Sequence, residues 1–304
     1  MDRSRLSQAY RIDPFDLQLF AAIAERGSIT AGARDVHLSL AAASTRMQKL
    51  EHAIGAALLL RSKQGVEVTD AGRTLLRHAG RLRREMETMQ AAMATHARGV
   101  RSTIRVLCNT SAMTEHLPRL IGRFLAEHEG IDIELKELGS FDVLRAMRQE
   151  RADIGVIADY VGVEGMNVRK FRDDPLVALL PSAFGRRMRG PLDFARLMDQ
   201  AFVGLPEDSG LSRFLQHHAM RYGRGLHHRV RVRSLDAVVG LVADGVGVAV
   251  VPRLTAARLA SRRLAVRELS NAWAARQLLL CSPKATPLGA GAARLLRFLA
   301  ASAG

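Results

Sequence analysis

The chain has 304 residues, 48% of them hydrophobic and 25% charged, enough to bury two or three separate cores. Its formal net charge of +15 points to a polyanionic partner, of which nucleic acid is the commonest, and the charge is spread along the chain rather than gathered in a tail. Two cysteines, Cys108 and Cys281, exclude a disulfide framework; no apolar run long enough to span a membrane and no secretory core at the N-terminus lead us to expect a cytoplasmic protein without a membrane partner.

The first predicted element is an amphipathic helix over Phe15–Glu25, with Leu17, Phe20, Ala21, Ile23 and Ala24 on one face and Gly27 as its stop. Thr30 is expected to cap a short second helix, Ala31–Val36, and to stand among the DNA contacts, and His37-Leu38 to form a turn. Ser39 then caps a third helix that begins SLAAASTRMQKLE. At 100° per residue Ala43, Met47, Leu50 and Ile54 share the core side, while Ala41, Ser44, Thr45, Gln48 and His52 face the other way. That outward face is short and hydroxyl-bearing at its leading end. It suits a helix entering a groove about 12 Å wide, where Ser39, Ser44 and Thr45 meet phosphates or base edges. Arg46 and Lys49 flank it, placed to reach the DNA backbone. Residues Arg61–Thr69 alternate around Gly65 and read as a two-stranded wing carrying Arg61 and Lys63 towards DNA. Two short helices, a recognition helix and a wing make a winged helix-turn-helix; the competing reading is a generic small helical domain.

The residues Glu25, Gly27, Ser28, Thr30, Ala33, Ser39, Ala42, Ser44, Leu50, Glu51, Gly55, Leu58, Arg61, Thr69, Ala71 and Gly72 fall in one register across Phe15–Gly72. In that register the chain resembles the LysR-type transcriptional regulators. It departs from them where Leu40-Ala41 replace the family's Gln-Pro and where Thr45 replaces its arginine, with Arg46 one place on. The DNA-reading face thereby loses an amide and a guanidinium, while Leu40 offers an apolar contact for a thymine methyl.

Asp70 is expected to cap a long helix from Ala71 to about Arg98. Leu75, Ala79, Leu82, Met86, Met89 and Met93 recur at 4-3-4-3-4, a seam narrow enough to want one partner helix. The alternative is a contact with the following domain. The resemblance implies pairing through this helix, giving a dimer, with a tetramer as the larger assembly, on an imperfect inverted repeat. It adds RNA polymerase as a further candidate partner.

Beyond Gly99, strands and helices alternate: Ser102–Cys108, Met113–His128, Ile131–Leu138, Phe141–Glu150 and Asp153–Ala158 form a βαβαβ unit. A second series follows: strands at Leu176–Leu180 and Ala201–Gly204, helix Leu211–Tyr222, strand His228–Arg233, helix Leu235–Asp244 and strand Val246–Val251. Strand Arg276–Cys281 and helix Gly291–Ala301 return at the end. The expected fold is α/β: a winged helix-turn-helix head at residues 12–70, a linker helix at 71–98 and a two-lobed, periplasmic-binding-protein-like domain of parallel sheets at 101–304. Its lobe I takes residues 101–160 and 268–304, and lobe II takes 161–267. The resemblance implies the same architecture for an effector-binding domain.

Ligands of open parallel sheets bind beyond the carboxyl ends of strands. Candidate contacts for a small, carboxylate-bearing effector are therefore Asn109, Thr110 and Ser111 after the first strand, with Ser209 and Gly210 in PEDSGLS. Val251-Pro252 and the hinge-side Asp159 complete the set. Thr110-Ser111 and Ser209 also suit plain helix caps. Cys108 next to this cleft opens an alternative, a redox-sensing regulator. The pairs His217-His218 and His227-His228 are sequence neighbours that share no element face, so no metal is expected, and no cofactor beyond the effector. No nucleophile elbow, Walker loop, dinucleotide loop or zinc-protease pair occurs, which speaks against an enzyme. A small-molecule-binding protein without a DNA-directed role is the remaining class, and the head speaks against it.

Overall fold

A computed structural model describes residues 12–62, 65–94, 102–186, 188 and 190–302. Contacts divide the chain into two units, one of residues 1–96 with 148–151 and one of the remainder.

In the first unit, helix α1 (Pro14–Arg26) is capped by Asp13, whose carboxylate accepts from the Phe15 amide, and closed by Gly27 at φ +60°. The second helix, α2 (Ile29–Asp35), starts earlier than expected. Ser28, not Thr30, is its cap, its Oγ accepting from the Ala31 amide. Thr30 lies within the first turn, exposed. Gly32 is required where α2 crosses α1, since a Cβ there would come 2.5 Å from the Ile23 backbone nitrogen. Helix α3 (Leu40–Ile54) is capped by Ser39 as expected. Leu19, Phe20, Ile23, Ala43, Met47, Leu50 and Leu58 close the core, each large side chain worth roughly 1.5–3 kcal/mol in burial. Strands β1 (Leu59–Ser62) and β2 (Gly65–Val68) pair antiparallel, with Arg61 opposite Val66. The Glu51 carboxylate accepts from the Leu58 and Leu59 amides at 2.8 and 3.1 Å and so fixes where the wing begins.

Helix α4 (Asp70–Ala94) follows. Its cap is Thr69 rather than Asp70: the Thr69 hydroxyl accepts from the Gly72 amide and donates to the Ala57 carbonyl. Of the heptad seam, Leu75 packs on the head core and Ala79 is buried, whereas Leu82, Met86 and Met89 are 54%, 42% and 56% exposed. The Met93 side chain, and the expected stop at Arg98-Gly99, lie outside the described residues.

The second unit holds two lobes. Lobe I is a five-stranded sheet in the order β4-β3-β5-β12-β6, formed by β3 (Ser102–Cys108), β4 (Ile131–Glu137), β5 (Ile154–Ala158), β6 (Met166–Asp173) and β12 (Gln277–Pro283). Helices α5 (Leu117–Ala126), α6 (Ser140–Arg148) and α11 (Ala290–Ala301) cover it. The expected βαβαβ core is present, β3 running parallel to both β4 and β5. The expectation of purely parallel sheets is corrected, because β12 runs antiparallel to both β5 and β6. A strand that re-enters from the other lobe arrives at the opposite end of the sheet and has to run against its neighbours. The helix expected from Met113 begins instead as a π turn, Ala112–His116.

Lobe II is built on β7 (Leu176–Pro181), flanked antiparallel by β10 (Ala249–Pro252) and β11 (Leu264–Glu268). The parallel pair β8 (Phe202–Gly204) and β9 (His228–Arg231) joins through a bridge from Phe202 to Val248. Helices α7 (Ser182–Gly185), α8 (Gly210–Met220), α9 (Leu235–Ala243) and α10 (Arg253–Arg258) complete it. The lobe boundaries shift accordingly. Residues 166–173 belong to lobe I as its edge strand, and Leu269 and Trp273 pack in the core of lobe II. The chain thus crosses between lobes at Asp174-Pro175 and again just before Gln277.

Candidate nucleic-acid interface and effector cleft

The two units offer separate candidate sites. In the head, the α3 face opposite Ala43, Met47 and Leu50 carries Leu40, 51% exposed, with exposed Ala41, Thr45, Gln48, Lys49 and His52 and half-buried Ser44. Ser39 spends one acceptor on the Ala42 amide. The Thr45 hydroxyl donates back to the Ala41 carbonyl at 3.0 Å, leaving its methyl and lone pairs outward. Among the described residues the side chains of Gln48 and Lys49 have no hydrogen-bond or ion-pair partner and project as free donors.

Arg46 is placed differently from expectation. Its Nε meets Asp16 at 2.5 Å, its Nη2 meets Asp13 at 2.6 Å, and its guanidinium lies over the Phe15 ring. It fastens α3 to the start of α1 rather than reaching outward. The Phe15 amide, together with Arg46, holds the Asp13 carboxyl below its ordinary value, so the pair stays ionised in neutral solution. Arg26 and Asp35 form a two-bond pair at 2.6 and 3.0 Å that fastens α1 to α2 in the same way. On the wing, Arg61 stands in β1, but its side chain, like Lys63, lies outside the described residues.

In the second unit, the loop after β3 is spoken for. The Asn109 side chain accepts from the Ala112 amide at 3.0 Å and caps the π turn. Thr110 donates to Glu137 at 2.6 Å, and Ser111 donates to Asp174 at 2.5 Å. Both hydroxyls therefore already donate to carboxylates of the chain itself. Asp174 in turn holds Arg276 at 2.6 Å, and the side chains are 2% and 6% exposed. These two residues, one on each crossover, were invisible to sequence reading because 102 positions separate them. No local pattern marks such a pair.

The facing loop of lobe II closes on lobe I. Ser209 caps α8 through the Ser212 amide. Gly210 abuts Gly139, and a Cβ on Gly210 would stand 2.8 Å from the Gly139 Cα. Arg213 pairs with Asp142 beside this contact. Tyr160 stacks on Phe214 at 4.3 Å, and burial raises its hydroxyl pKa above the ordinary value. A second bridge runs from the π turn: Glu115 accepts from Thr255 at 2.6 Å and pairs with Arg258, which also holds Asp236 at 2.7 Å. Of the remaining expected contacts, Asp159 is exposed with its amide bonded to the Gln277 carbonyl, and Val251 and Pro252 are buried sheet positions opposite Val177 and Leu176. The structure thus gathers Ser111, Asp174, Arg276 and Tyr160 about the hinge, with Ser209 and Gly210 on the opposing loop.

Burial, with Glu137 nearby, pushes the Cys108 thiol up to about 12, and burial pushes Cys281 to about 12 as well. A thiol so placed has almost no thiolate at neutral pH, which argues against redox sensing. Among the described residues no helix is long and apolar enough to cross a membrane.

Residues 15–73 match the family model described as bacterial regulatory helix-turn-helix protein, lysR family, and residues 97–304 match the LysR substrate binding domain. The RuBisCO operon transcriptional regulator of Allochromatium vinosum is 28% identical over 263 residues, covering 84% of each chain. The HTH-type transcriptional regulator TfdS of Cupriavidus pinatubonensis is 28% identical over 243 residues, covering 79% of this chain and 82% of that protein. Among solved structures, ArgP from Mycobacterium tuberculosis superposes with a TM-score of 0.63 at 21% identity, covering 97% of this chain and 98% of that one. Full-length CbnR complexed with its target DNA gives 0.57 at 19%, covering 96% and 100%.

Proposed function

Since the chain belongs to the LysR family of DNA-binding transcriptional regulators, we propose that it reads DNA through the outward face of α3 and answers to a small carboxylate-bearing effector at the hinge of its second unit. The observation that carries the DNA assignment is the face itself. On a helix whose other side seals the head core, Leu40, Ala41, Thr45, Gln48 and Lys49 are exposed and short at the leading end. Lys49 serves the backbone, Gln48 and Leu40 serve base edges, and Arg46 holds the helix at its angle. Exposed Leu82, Met86 and Met89 on α4 want a second copy, so the active form is a dimer or a pair of dimers on an inverted repeat in the cytoplasm.

At the hinge, the effector carboxylate takes the place of Asp174 on the Ser111 hydroxyl and the Arg276 guanidinium. The internal pair and the liganded pair are two states of one clamp, and the effector shifts their balance by its differential affinity. A chain carrying Thr110→Ala and Ser111→Ala should bind its operator at unchanged affinity in a mobility-shift assay and lose the effector-dependent change in DNA protection. Retention of the full response refutes the hinge assignment. Loss of DNA binding by Gln48→Ala with Lys49→Ala, the fold intact by circular dichroism, tests the head; unchanged affinity for the operator refutes that part.

A further inference from the structure

On lobe I a groove of about 610 Å³ lies between the sheet edge and the last helix. Its floor is Leu280 of β12, one wall is Ala293 and Leu296 of α11, and the far rim is the segment ending at Leu288. Arg169 of the edge strand β6 stands in register with Leu280, and Lys284 begins the rim segment. Both cations are exposed, and neither side chain has an ion-pair partner among the described residues. Leu280 itself is buried in the lobe I core, so the apolar surface open to the groove comes from the partly buried Leu288, Ala293 and Leu296. None of these residues takes part in the hinge cluster.

We propose that this groove is a second small-molecule site, for an amphipathic anion: a flat or chain-like apolar body on Leu288, Ala293 and Leu296, with a carboxylate held by Arg169 and Lys284. Its volume falls within the roughly 300–1,000 Å³ usual for ligand sites, and apolar walls edged by two unpaired cations are what such a ligand needs. Charge decides between occupants. A neutral apolar ligand leaves two cations without a use, and a second copy of this face brings like charges together. A strand added to the β6 edge would have to run beside Asn167, Arg169 and Lys170, a row of polar and charged side chains that discourages pairing.

The test uses the full chain with 1-naphthoate and its neutral analogue 1-naphthylmethanol as probes, by calorimetric titration and hydrogen exchange. Naphthoate should saturate one site per chain, and slow exchange in peptides covering 166–170 and 284–296. Arg169→Gln with Lys284→Gln should weaken naphthoate by at least ~10-fold, since charge-assisted contacts are the stronger kind, and leave the alcohol unmoved. Unaltered naphthoate affinity in the double variant overturns the proposal. So does protection that falls at 109–112 or 209–212 instead, which would place the probe at the hinge; that result leaves the hinge reading standing while this one fails. If the probe does not bind and the double variant changes the sedimentation of the protein, the face is an interface between copies and the ligand assignment is wrong. The exchange measurement on the unaltered chain decides the matter even if the double variant does not fold.

Discussion

Replacing Asp174 by asparagine keeps the shape of the hinge clamp and removes its charge. The Arg276 guanidinium, 6% exposed, is then buried beside an amide, having lost bonds of 2.6 and 2.9 Å to a carboxylate oxygen. Breaking a buried pair by one partner costs about 3–5 kcal/mol, mostly the penalty of the charge left behind. With a urea dependence of about 2–3 kcal/mol per molar, the midpoint should fall by roughly 1–2 M. The sequence supplies its own reporter: the single tryptophan, Trp273, stacks on His218 at 4.4 Å and meets Phe214 and Phe194 edge-on. Its fluorescence follows the second unit without contribution from the head. Adding Arg276→Met should recover part of the loss, because both charges are then gone. A midpoint shift below about 0.3 M for Asp174→Asn, or a double variant that loses the sum of the two single losses, would refute the clamp.

Arg46→Ala should leave the salt dependence of operator affinity unchanged, because its guanidinium serves Asp13 and Asp16, whereas Lys49→Ala should flatten the log–log slope by about one; equal flattening by both shows that Arg46 contacts phosphate. Met86→Glu should shift the sedimentation profile towards monomer and weaken operator binding together, and an undisturbed dimer removes the α4 seam as the pairing surface. Burial, aided by His217 and Arg221, lowers His218 to about 4. A histidine whose folded pKa lies below its unfolded value favours folding above about 6.5 and withdraws that support as pH falls towards 4. The Trp273 urea midpoint should therefore decline across that window, and His218→Gln should flatten the decline; an unchanged pH profile in the variant means that another group carries it.

The head was legible because its signals are local. Ser39 caps α3, Ala43, Met47 and Leu50 repeat at helical spacing, and Gly65 divides two short alternating runs. The cap of α2 was misplaced by two residues because Ser28 and Thr30 are both good caps and Ile29 between them fits either frame. In the second unit the strands buried on both sides, such as Ile154–Ala158, announced themselves as apolar runs. The strand Met166–Asp173 did not. It is an edge strand whose MNVRKFRD reads as a loop, and it owes its place to pairing with β12, more than a hundred residues on. The same remoteness hid the partners of Arg46, Ser111 and Arg276. Sequence periodicity reports which face a residue takes within its own element, and says nothing of which distant carboxylate waits there.

The meeting of Gly139 and Gly210 sets how far the lobes can travel. Each contributes only a hydrogen atom at the point where the two backbones touch, so the tightest approach has no tolerance left. A lone methyl group on Gly210 would act as a doorstop against the Gly139 backbone: Gly210→Ala should hold the jaws ajar. Gly210→Ala should therefore shift the resting balance of the lobes, and with it the basal output of the promoter that the protein governs, through a single codon outside the helix-turn-helix head.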